Sequence, residues 1–504
     1  MALVSGACDQ RLAVRGVSMA VKGPPWIPML SRFDPEVSLA SRDLALLASA
    51  GINVIRLGVM WPGLMPSPPV NGKYSWNETY LGLVHQAVDA AAAHGMYTLL
   101  EFHQDVLSEF YCGEGIPRWV GEELDRLFQA DFPEEVVGLA RAVTPPGLRA
   151  FEERLVRKRV QSQIGKAAFP APVLPPFDRL NDTRGDVYSQ ADCGRATYWL
   201  YQATFAAGHA YRSLLDVSSP VYGHLAAYWK ILAESFAGNP NVLAFEMFNE
   251  PFPGSVATEP WIMTPRNADA RLLQYYTAVA RVIHTADAKR LVAFSPVTWE
   301  DGRFYGAAVD ARAHAVCGWL RQLVPELRFA GCEAAFQVSD WLPSGWFGRS
   351  GFQGVPLVNQ SILSFHYYQP PQLGAREYAI QRRADAARLG ACPLMSEGTL
   401  TGPGDVATLH WMEQEGLGWI DWEYKHQAAP GYGADRTGTG PSMFHPDGSP
   451  IAPLWARLAR PSAQRIQGQL ISSAFDAAAG VLNVTVVPGP GCWGPEFEVV
   501  WPSE

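Results

Sequence analysis

Short apolar runs alternate with longer segments rich in alanine and leucine along most of the chain. The run VLAFEMFN is typical, because it is apolar over most of its length and ends in a polar side chain. A strand that is apolar on both faces is packed on both faces, as in a parallel sheet covered by helices. The eight runs lie at 11–19, 53–59, 97–103, 242–249, 291–297, 361–368, 393–399 and 418–425.

The segments between the runs have the apolar spacing of helices. Residues 79–95, TYLGLVHQAVDAAAAHG, end in Gly95, where a helix carboxyl terminus favours glycine. The alternation predicts βα units, and eight such units predict an α/β fold, a closed (β/α)8 TIM barrel. A doubly wound open sheet produces the same alternation and is the alternative.

Polar side chains occur where the apolar runs end. The carboxyl ends of all strands of a barrel meet at one mouth, whereas an open sheet would spread them along an edge. So much hydrogen-bonding chemistry at the strand ends therefore favours the barrel and predicts a site at its mouth. The residues are Arg56, His103, Asn249, Glu250, His366, Tyr368, Glu397 and Trp422.

Two of these strand ends carry a glutamate, Glu250 and Glu397. Burying a carboxylate is costly unless it is paired or used. Two carboxylates at one mouth are the minimal equipment for glycoside hydrolysis, in which one protonates the leaving oxygen and the other attacks the anomeric carbon. Either glutamate alone could be an ion-pair partner of an arginine or lysine. Together, and with His366 and Tyr368 at a third strand end, they favour catalysis.

Charge and cysteine usage exclude several classes of protein. The net charge of −9 disfavours a nucleic-acid partner. The seven cysteines contain no C-x-x-C pair and form no Cys/His cluster at zinc spacing, so we expect no metal site, and their pairing stays open. No uninterrupted apolar stretch reaches the roughly 18–20 residues of a spanning helix. Two-carboxylate hydrolysis also requires no cofactor.

In this order along the chain, the strand-end residues resemble the active site of glycoside hydrolase family 5. Further segments resemble the endoglycoceramidase branch of that family, which also includes glucosylceramide-cleaving enzymes of fungi and animals. The resemblance covers about residues 10–460. The segments are EFHQD (101–105), GEGIPRWV (113–120), FPAPV (169–173), VNQSILSFHYYQPP (358–371) and DWEYK (421–425).

The resemblance implies a role for each matching residue. Glu250 is expected to be the acid/base and Glu397 the nucleophile of a retaining mechanism. Arg56 and Tyr368 are expected to orient Glu397, and Asn249 to donate a hydrogen bond to the sugar 2-hydroxyl. The expected sugar contacts are Lys22, His103, Asp105, His366, Tyr368, Glu423, Lys425 and, as the floor of the −1 subsite, Trp422. The histidines and Trp422 could instead be core residues, and the lysines, Asp105 and Glu423 could form rim ion pairs.

The resemblance also implies a domain plan. Residues 10–460 form the catalytic barrel, with insertions at about 120–235 and 300–357. Residues 461–504 form a small C-terminal β-sandwich-like domain, which is either reduced or completed by the barrel's edge. Aromatic side chains in two loops, Trp261, Trp341, Trp346 and Phe347, form an apolar slot for ceramide or simply pack on the barrel.

The implied function is that of a retaining endo-β-glycosidase that hydrolyses the bond between a glucose-linked glycan and ceramide in glycosphingolipids. Alternatives are an exo-acting glucosylceramide or steryl β-glucosidase, a family-5 endo-β-glucanase, or a non-catalytic glycan- or lipid-binding protein. The last is disfavoured because binding alone does not need both glutamates. The expected partner is a glycolipid, reached by peripheral contact with a membrane or micelle, and the protein is expected to be a monomer.

We expect the protein to be secreted or to lie in a lysosomal or vesicular lumen, although MALVSGACDQ is not an intact signal peptide. Four glycosylation sequons point weakly the same way and predict a glycoprotein. They lie at Asn77, Asn181, Asn359 and Asn483.

Overall fold

Eight parallel strands close into a barrel whose last strand pairs with its first. Each of the eight apolar runs forms one barrel strand, so the predicted TIM barrel is confirmed and the open sheet is wrong. The structure, a computed structural model, describes residues 2–3, 10–132, 193, 201–202, 204–255, 259, 262, 265–297, 361–368, 374–399, 406–425, 442–488 and 497–502.

Two short strands precede the barrel strands in the chain. They are β1 (Ala2–Leu3) and β2 (Gln10–Leu12). The barrel strands are β3 (Arg15–Met19), β4 (Val54–Gly58), β5 (Tyr97–Glu101), β6 (Val242–Glu246), β7 (Leu291–Phe294), β8 (Ser361–Tyr367), β9 (Cys392–Gly398) and β10 (Gly418–Asp421).

Helices surround the barrel. The helix predicted at 79–95 begins one residue earlier, at Glu78, where the Asn77 side chain accepts a hydrogen bond from the Tyr80 amide. Gly95 follows its last turn with a φ of 77°. The described helices are α1 (Ser41–Ser49), α2 (Trp61–Leu64), α3 (Glu78–Ala93), α4 (Arg118–Asp131), α5 (Phe205–Leu215), α6 (Pro220–Ser235), α7 (Pro265–Ala286), α8 (Ala375–Leu389), α9 (Val406–Gln414) and α10 (Ala452–Leu458). None of these described helices combines the length and apolarity needed to cross a membrane.

The barrel interior is built in layers, because every second side chain of a strand points the same way. The floor is a buried apolar cluster that includes Val54, Leu99, Ala244, Ile362 and Leu394. Two residues further along the same five strands the interior turns polar. This second layer consists of Arg56, Glu101, Glu246, Ser364 and Ser396, all fully buried.

The chain between β5 and β6 carries helices α4, α5 and α6, within the insertion expected at about 120–235. A disulfide joins Cys112, in the loop after β5, to Cys193 within this insertion. The bridge closes a sequence separation of 81 residues and therefore ties the insertion to the mouth of the barrel. The second expected insertion and the aromatic residues Trp261, Trp341, Trp346 and Phe347 lie outside the described residues.

The end of the chain forms two small antiparallel sheets. Its strands are β11 (Ser462–Gln467), β12 (Gln469–Asp476), β13 (Val481–Val487) and β14 (Phe497–Val500). One sheet has the order β1-β2-β11-β14, and the other is the β12-β13 hairpin. The first sheet is thus completed by the N-terminal strands, which explains how so short a C-terminal segment can form a β unit.

Arg15 joins the floor of the barrel to the segment before β11. The side chain is buried, and its guanidinium donates to the carbonyl oxygens of Arg460 and Leu458, each at 2.8 Å. It also lies over the ring of Trp419, 5.0 Å from the centroid. Burial lowers the pKa of Arg15 to about 10, which still leaves it charged at neutral pH.

Replacing Arg15 by lysine is expected to destabilise the protein, because a single ammonium cannot reach both carbonyls as the guanidinium fork does. The expected loss in the free energy of unfolding is about 2 kcal/mol, as for a buried charge-assisted bond. Denaturant unfolding measures it. Arg465→Lys is the matched control, since its ion pair with Glu498 is exposed and its loss is worth less than about 1 kcal/mol. Equal effects of the two variants would contradict the role of Arg15.

Candidate active site

A buried guanidinium lies at the centre of the polar layer. Arg56 donates to Glu246 Oε2 at 2.6 Å and to Glu397 Oε2 at 2.8 Å, and it also contacts Glu101. Burial disfavours the charge of Arg56, but the three carboxylates outweigh burial and raise the pKa above its usual range. Arg56 is therefore a fixed cation that links the interior of the barrel to Glu397.

Glu397 closes strand β9 and is held in its charged form. Its Oε1 accepts a hydrogen bond from the Tyr368 hydroxyl at 2.6 Å, and the Nδ1 of His366 lies 3.6 Å from the same oxygen. Burial alone would raise the pKa of Glu397, but the positive charges of His366 and Arg56 outweigh burial and lower it. An ionised, oriented carboxylate is what nucleophilic attack requires.

Glu250 follows strand β6, and its pKa is shifted in the opposite direction to that of Glu397. Burial is the main cause that raises its pKa, and the negative charges of Glu397 and Asp105 add to it. His366 opposes this shift, because its Nδ1 lies 2.9 Å from Glu250 Oε1. The net direction is upward, so Glu250 retains a proton to higher pH than an ordinary glutamate. That is the property of a general acid.

His366 lies between the two glutamates and carries positive charge at neutral pH. Burial would lower its pKa, but Glu397 and Glu250 raise it to about 9. One carboxyl oxygen of Glu250 and one of Glu397 lie within 4.8 Å of each other and of the imidazole. This spacing is shorter than the roughly 6.5–9.5 Å of inverting glycosidases and suits the retaining class.

Asn249 is fixed by hydrogen bonds on both sides of its amide. Its Oδ1 accepts from Arg56 at 2.8 Å, and its Nδ2 donates to the carbonyl of Gln104 at 3.0 Å. The amide therefore stands beside the two glutamates in a fixed orientation.

A second group of charged side chains lines the mouth beside Trp422. The His103 ring stacks on Trp422 with centroids 5.2 Å apart and planes only 6° from parallel. Lys22 contacts Asp105, and its Nζ lies 5.0 Å from the centroid of Trp422. Burial would lower the pKa of His103, but Glu101 and Asp105 raise it to about 10. The group thus offers cations, a carboxylate and an aromatic face at one wall.

Ten of the predicted site residues come together at the mouth. They are Lys22, Arg56, His103, Asp105, Asn249, Glu250, His366, Tyr368, Glu397 and Trp422. Glu423, which follows Trp422, is buried. Lys425 does not reach the mouth, and its expected sugar contact is wrong. Its side chain is fully buried and its Nζ bonds to Asp43, to the Ser38 hydroxyl and to the Asp34 carbonyl, because it braces the chain after β10 against residues 34–43.

Several residues of the site were not predicted. Glu101 and Glu246 are charged residues inside apolar runs, and the two-residue repeat places both inside the barrel, so the sequence pattern could have identified them. Gln104 and Glu114 carry no such signal, because they join the site through the loop after β5. Burial raises the pKa of Glu114 to about 8, and its Oε1 lies 3.4 Å from Lys22 Nζ.

Comparisons with known proteins agree with this geometry. The chain is 27% identical over 491 residues to an endoglycoceramidase of Hydra vulgaris, covering 96% of this chain and 75% of the relative. It is 27% identical over 493 residues to an endoglycoceramidase of Cyanea nozakii, covering 95% and 78%. The fold is similar to that of endo-glycoceramidase II from Rhodococcus sp. in a ganglioside GM3 complex, with a TM-score of 0.55 and 17% sequence identity. The match covers 96% of this chain and 87% of the other.

The profile of one protein family accounts for most of the barrel. The family is described as Cellulase (glycosyl hydrolase family 5), and its profile matches residues 19–132 and 203–427. These ranges include every predicted mouth residue that the structure brings together. They make up more than half of the chain, and the protein therefore belongs to glycosyl hydrolase family 5.

Proposed function

We propose that this glycoside hydrolase is a retaining endo-β-glycosidase that releases ceramide from a glucose-linked glycan. The observation that carries the proposal is the pair of glutamates joined through His366, one with a raised and one with a lowered pKa. The names of the relatives, endoglycoceramidases, support ceramide as the leaving group.

In the first step Glu397 attacks the anomeric carbon while Glu250 gives its proton to the departing ceramide oxygen. The glycosidic bond breaks and an ester bond to Glu397 forms. Arg56 and Tyr368 hold the Glu397 carboxylate in its reactive orientation before attack. The carboxylate is therefore preorganised, and no free energy is spent on orienting it during the reaction.

In the second step water opens the ester. Glu250, now ionised, takes a proton from the water as the water attacks the anomeric carbon, and Glu397 leaves as a carboxylate. Two inversions at the same carbon give overall retention. Both steps use Glu250 in alternate protonation states, which suits a group whose pKa is raised toward neutral pH.

The glycone is bound by the residues around the two glutamates. Asn249 has a second amide N–H beside the one given to Gln104, and in this proposal it donates to the sugar 2-hydroxyl. Trp422 offers an aromatic face to the apolar side of a β-linked sugar. Lys22, His103 and Asp105 bind its hydroxyl groups with charge-assisted hydrogen bonds.

The ceramide side is proposed to lie among the aromatic residues Trp261, Trp341, Trp346 and Phe347. The enzyme would act as a monomer that touches the membrane or micelle holding its substrate. The Cys112–Cys193 disulfide supports an oxidising location, secreted or in a lysosomal or vesicular lumen, because such bonds are rare in the cytosol.

Azide can assign the two glutamates separately. Glu397→Ala should lose hydrolysis, and added azide should enter the vacated side of the sugar and yield an α-glycosyl azide. Glu250→Ala should still form the glycosyl-enzyme from an activated aryl glycoside, and azide should then yield a β-glycosyl azide. NMR of the azide products distinguishes the anomers. The reverse pattern would interchange the two roles.

The pH profile tests the charge of His366. That charge lowers the pKa of both Glu250 and Glu397, so His366→Gln should raise both. The acid limb of kcat/KM follows ionisation of Glu397 and the basic limb follows loss of the Glu250 proton. Both limbs should move to higher pH by about one unit, the usual effect of a near charge.

His85→Gln is the matched control for this shift. It makes the same substitution between helices α3 and α6, where His85 stacks on Phe236. Its profile should keep the wild-type limbs. A His366→Gln profile with both limbs in place would mean that the imidazole carries no charge in the working enzyme.

Product analysis tests the substrate. Purified protein is incubated with glucosylceramide and with a ganglioside in detergent, and the products are identified by mass spectrometry. Intact oligosaccharide plus free ceramide is the expected result. Release of glucose from glucosylceramide alone would mean an exo-acting glucosidase, and cleavage of neither lipid would favour a glucanase or a steryl glucosidase.

A further inference from the structure

Gln104, in the loop after β5, joins three parts of the structure through its side-chain amide. Nε2 donates to the Asn249 carbonyl at 2.7 Å and lies 3.4 Å from the Glu250 carbonyl. Oε1 accepts from the Leu107 amide at 2.8 Å and from the Tyr211 hydroxyl of α5 at 3.0 Å. Since the Leu107 amide can only donate, the amide of Gln104 has one possible orientation.

Both loops that Gln104 connects have an unusual backbone. Glu250 has a φ of 41°, and Val106 and Leu107 have φ values of 49° and 66°. Residues other than glycine rarely adopt this left-handed backbone conformation, and a β-branched valine is a genuine outlier there. Such residues cost free energy and persist only where the surroundings fix them, which happens most often at functional sites.

Two glycines pack closely against the loop that carries Gln104. Gly115 has a φ of 114°, and a Cβ at that position would come within 2.4 Å of the Gln104 Cα. Gly113 packs in the same way against the carbonyls of Asp105 and Val106. The backbone of Gln104 is therefore held on one side by glycines, and its side chain holds Glu250 on the other.

We propose that Gln104 is the positioning residue of the acid/base, fixing the strained turn at Asn249 and Glu250 so that the Glu250 carboxyl faces the glycosidic oxygen. Gln104 acts through the backbone carbonyls of that turn and takes no part in proton transfer. His366 contacts the carboxyl group of Glu250, so Glu250 is held at both its backbone and its carboxyl group. The proposal rests on the role of Glu250 given above, and not on ceramide.

Loss of the Gln104 hydrogen bonds to this turn should affect only protonation of the leaving group. A good leaving group, such as dinitrophenolate, departs without a proton, whereas a poor one, such as phenolate, needs the acid in place. A misplaced Glu250 should therefore slow only the reaction with the poor leaving group. The parameter to compare is kcat/KM, because it covers only the steps up to the glycosyl-enzyme.

The experiment measures kcat/KM for phenyl and 2,4-dinitrophenyl β-lactosides with the wild type and Gln104→Met. Methionine matches glutamine in length but cannot donate. We expect about a 100-fold loss on the phenyl substrate, the scale of a 1 Å misplacement, and less than about a 5-fold loss on the dinitrophenyl substrate. Glu250→Ala supplies the reference for complete loss of the acid and should show the same pattern.

Gln104→Glu is the second variant, and it guards against misfolding. It keeps the oxygen that accepts from Leu107 and Tyr211 and replaces only the donor nitrogen. Assayed above the pKa of the new carboxyl group, it should show the same dependence on the leaving group. Equal losses on both substrates with either folded variant would overturn the proposal, because a purely structural role slows both alike.

Asn53→Leu is the matched control. Asn53 is a buried amide that also bridges two segments, accepting from the Arg15 amide and donating to the Ala13 carbonyl, each at 2.9 Å, but at the floor of the barrel. Its loss should leave the ratio of the two kcat/KM values at the wild-type value. Wild-type enzyme that cleaves both lactosides but no glycosphingolipid would overturn the ceramide assignment and leave the comparison of leaving groups unaffected.

Discussion

The site depends on one buried cation, Arg56, surrounded by Glu101, Glu246 and Glu397. Removing such charges from water costs several kcal/mol per ion, and their attraction repays that cost only when the geometry and the remaining hydrogen bonds are good. Here the remaining bonds are supplied. Ser364 and Ser396 donate to Glu246, and His103 lies 3.0 Å from Glu101. Arg56 and the three glutamates therefore form a rigid ionic framework, in which Glu397 is the outermost carboxylate.

This framework explains how two glutamates at one mouth acquire different protonation states. Glu397 lies beside the charge of His366 and contacts Arg56 directly, and together the two cations outweigh burial and keep the carboxylate ionised. For Glu250, His366 lowers the pKa, but burial and the negative charges of Glu397 and Asp105 outweigh it. Opposite pKa shifts in neighbouring carboxyl groups are what a double-displacement mechanism requires. The difference arises from position, since Glu397 at the end of β9 contacts Arg56, whereas Glu250 after β6 contacts His366.

Sequence alone predicted the barrel and the mouth because both follow from a simple repeat. Apolar runs mark strands packed on both faces, and a polar residue that ends such a run must lie at the rim. The same rule fails for residues whose position depends on loop conformation. Gln104 and Glu114 lie in a loop with left-handed residues that no pattern signals, and the Lys425 side chain is buried against residues 34–43. The disulfide partner of Cys112 likewise depended on how the insertion folds back.

The barrel floor strengthens the ionic interactions of the site. The polar layer lies directly above a cluster of buried aliphatic side chains, so water does not reach Arg56 from below. A dry, low-dielectric floor strengthens every ion pair above it and equally penalises any ion left unpaired. The left-handed backbone at Glu250 costs about 1–3 kcal/mol, which is less than the roughly 3–5 kcal/mol lost when one partner of a buried ion pair is removed.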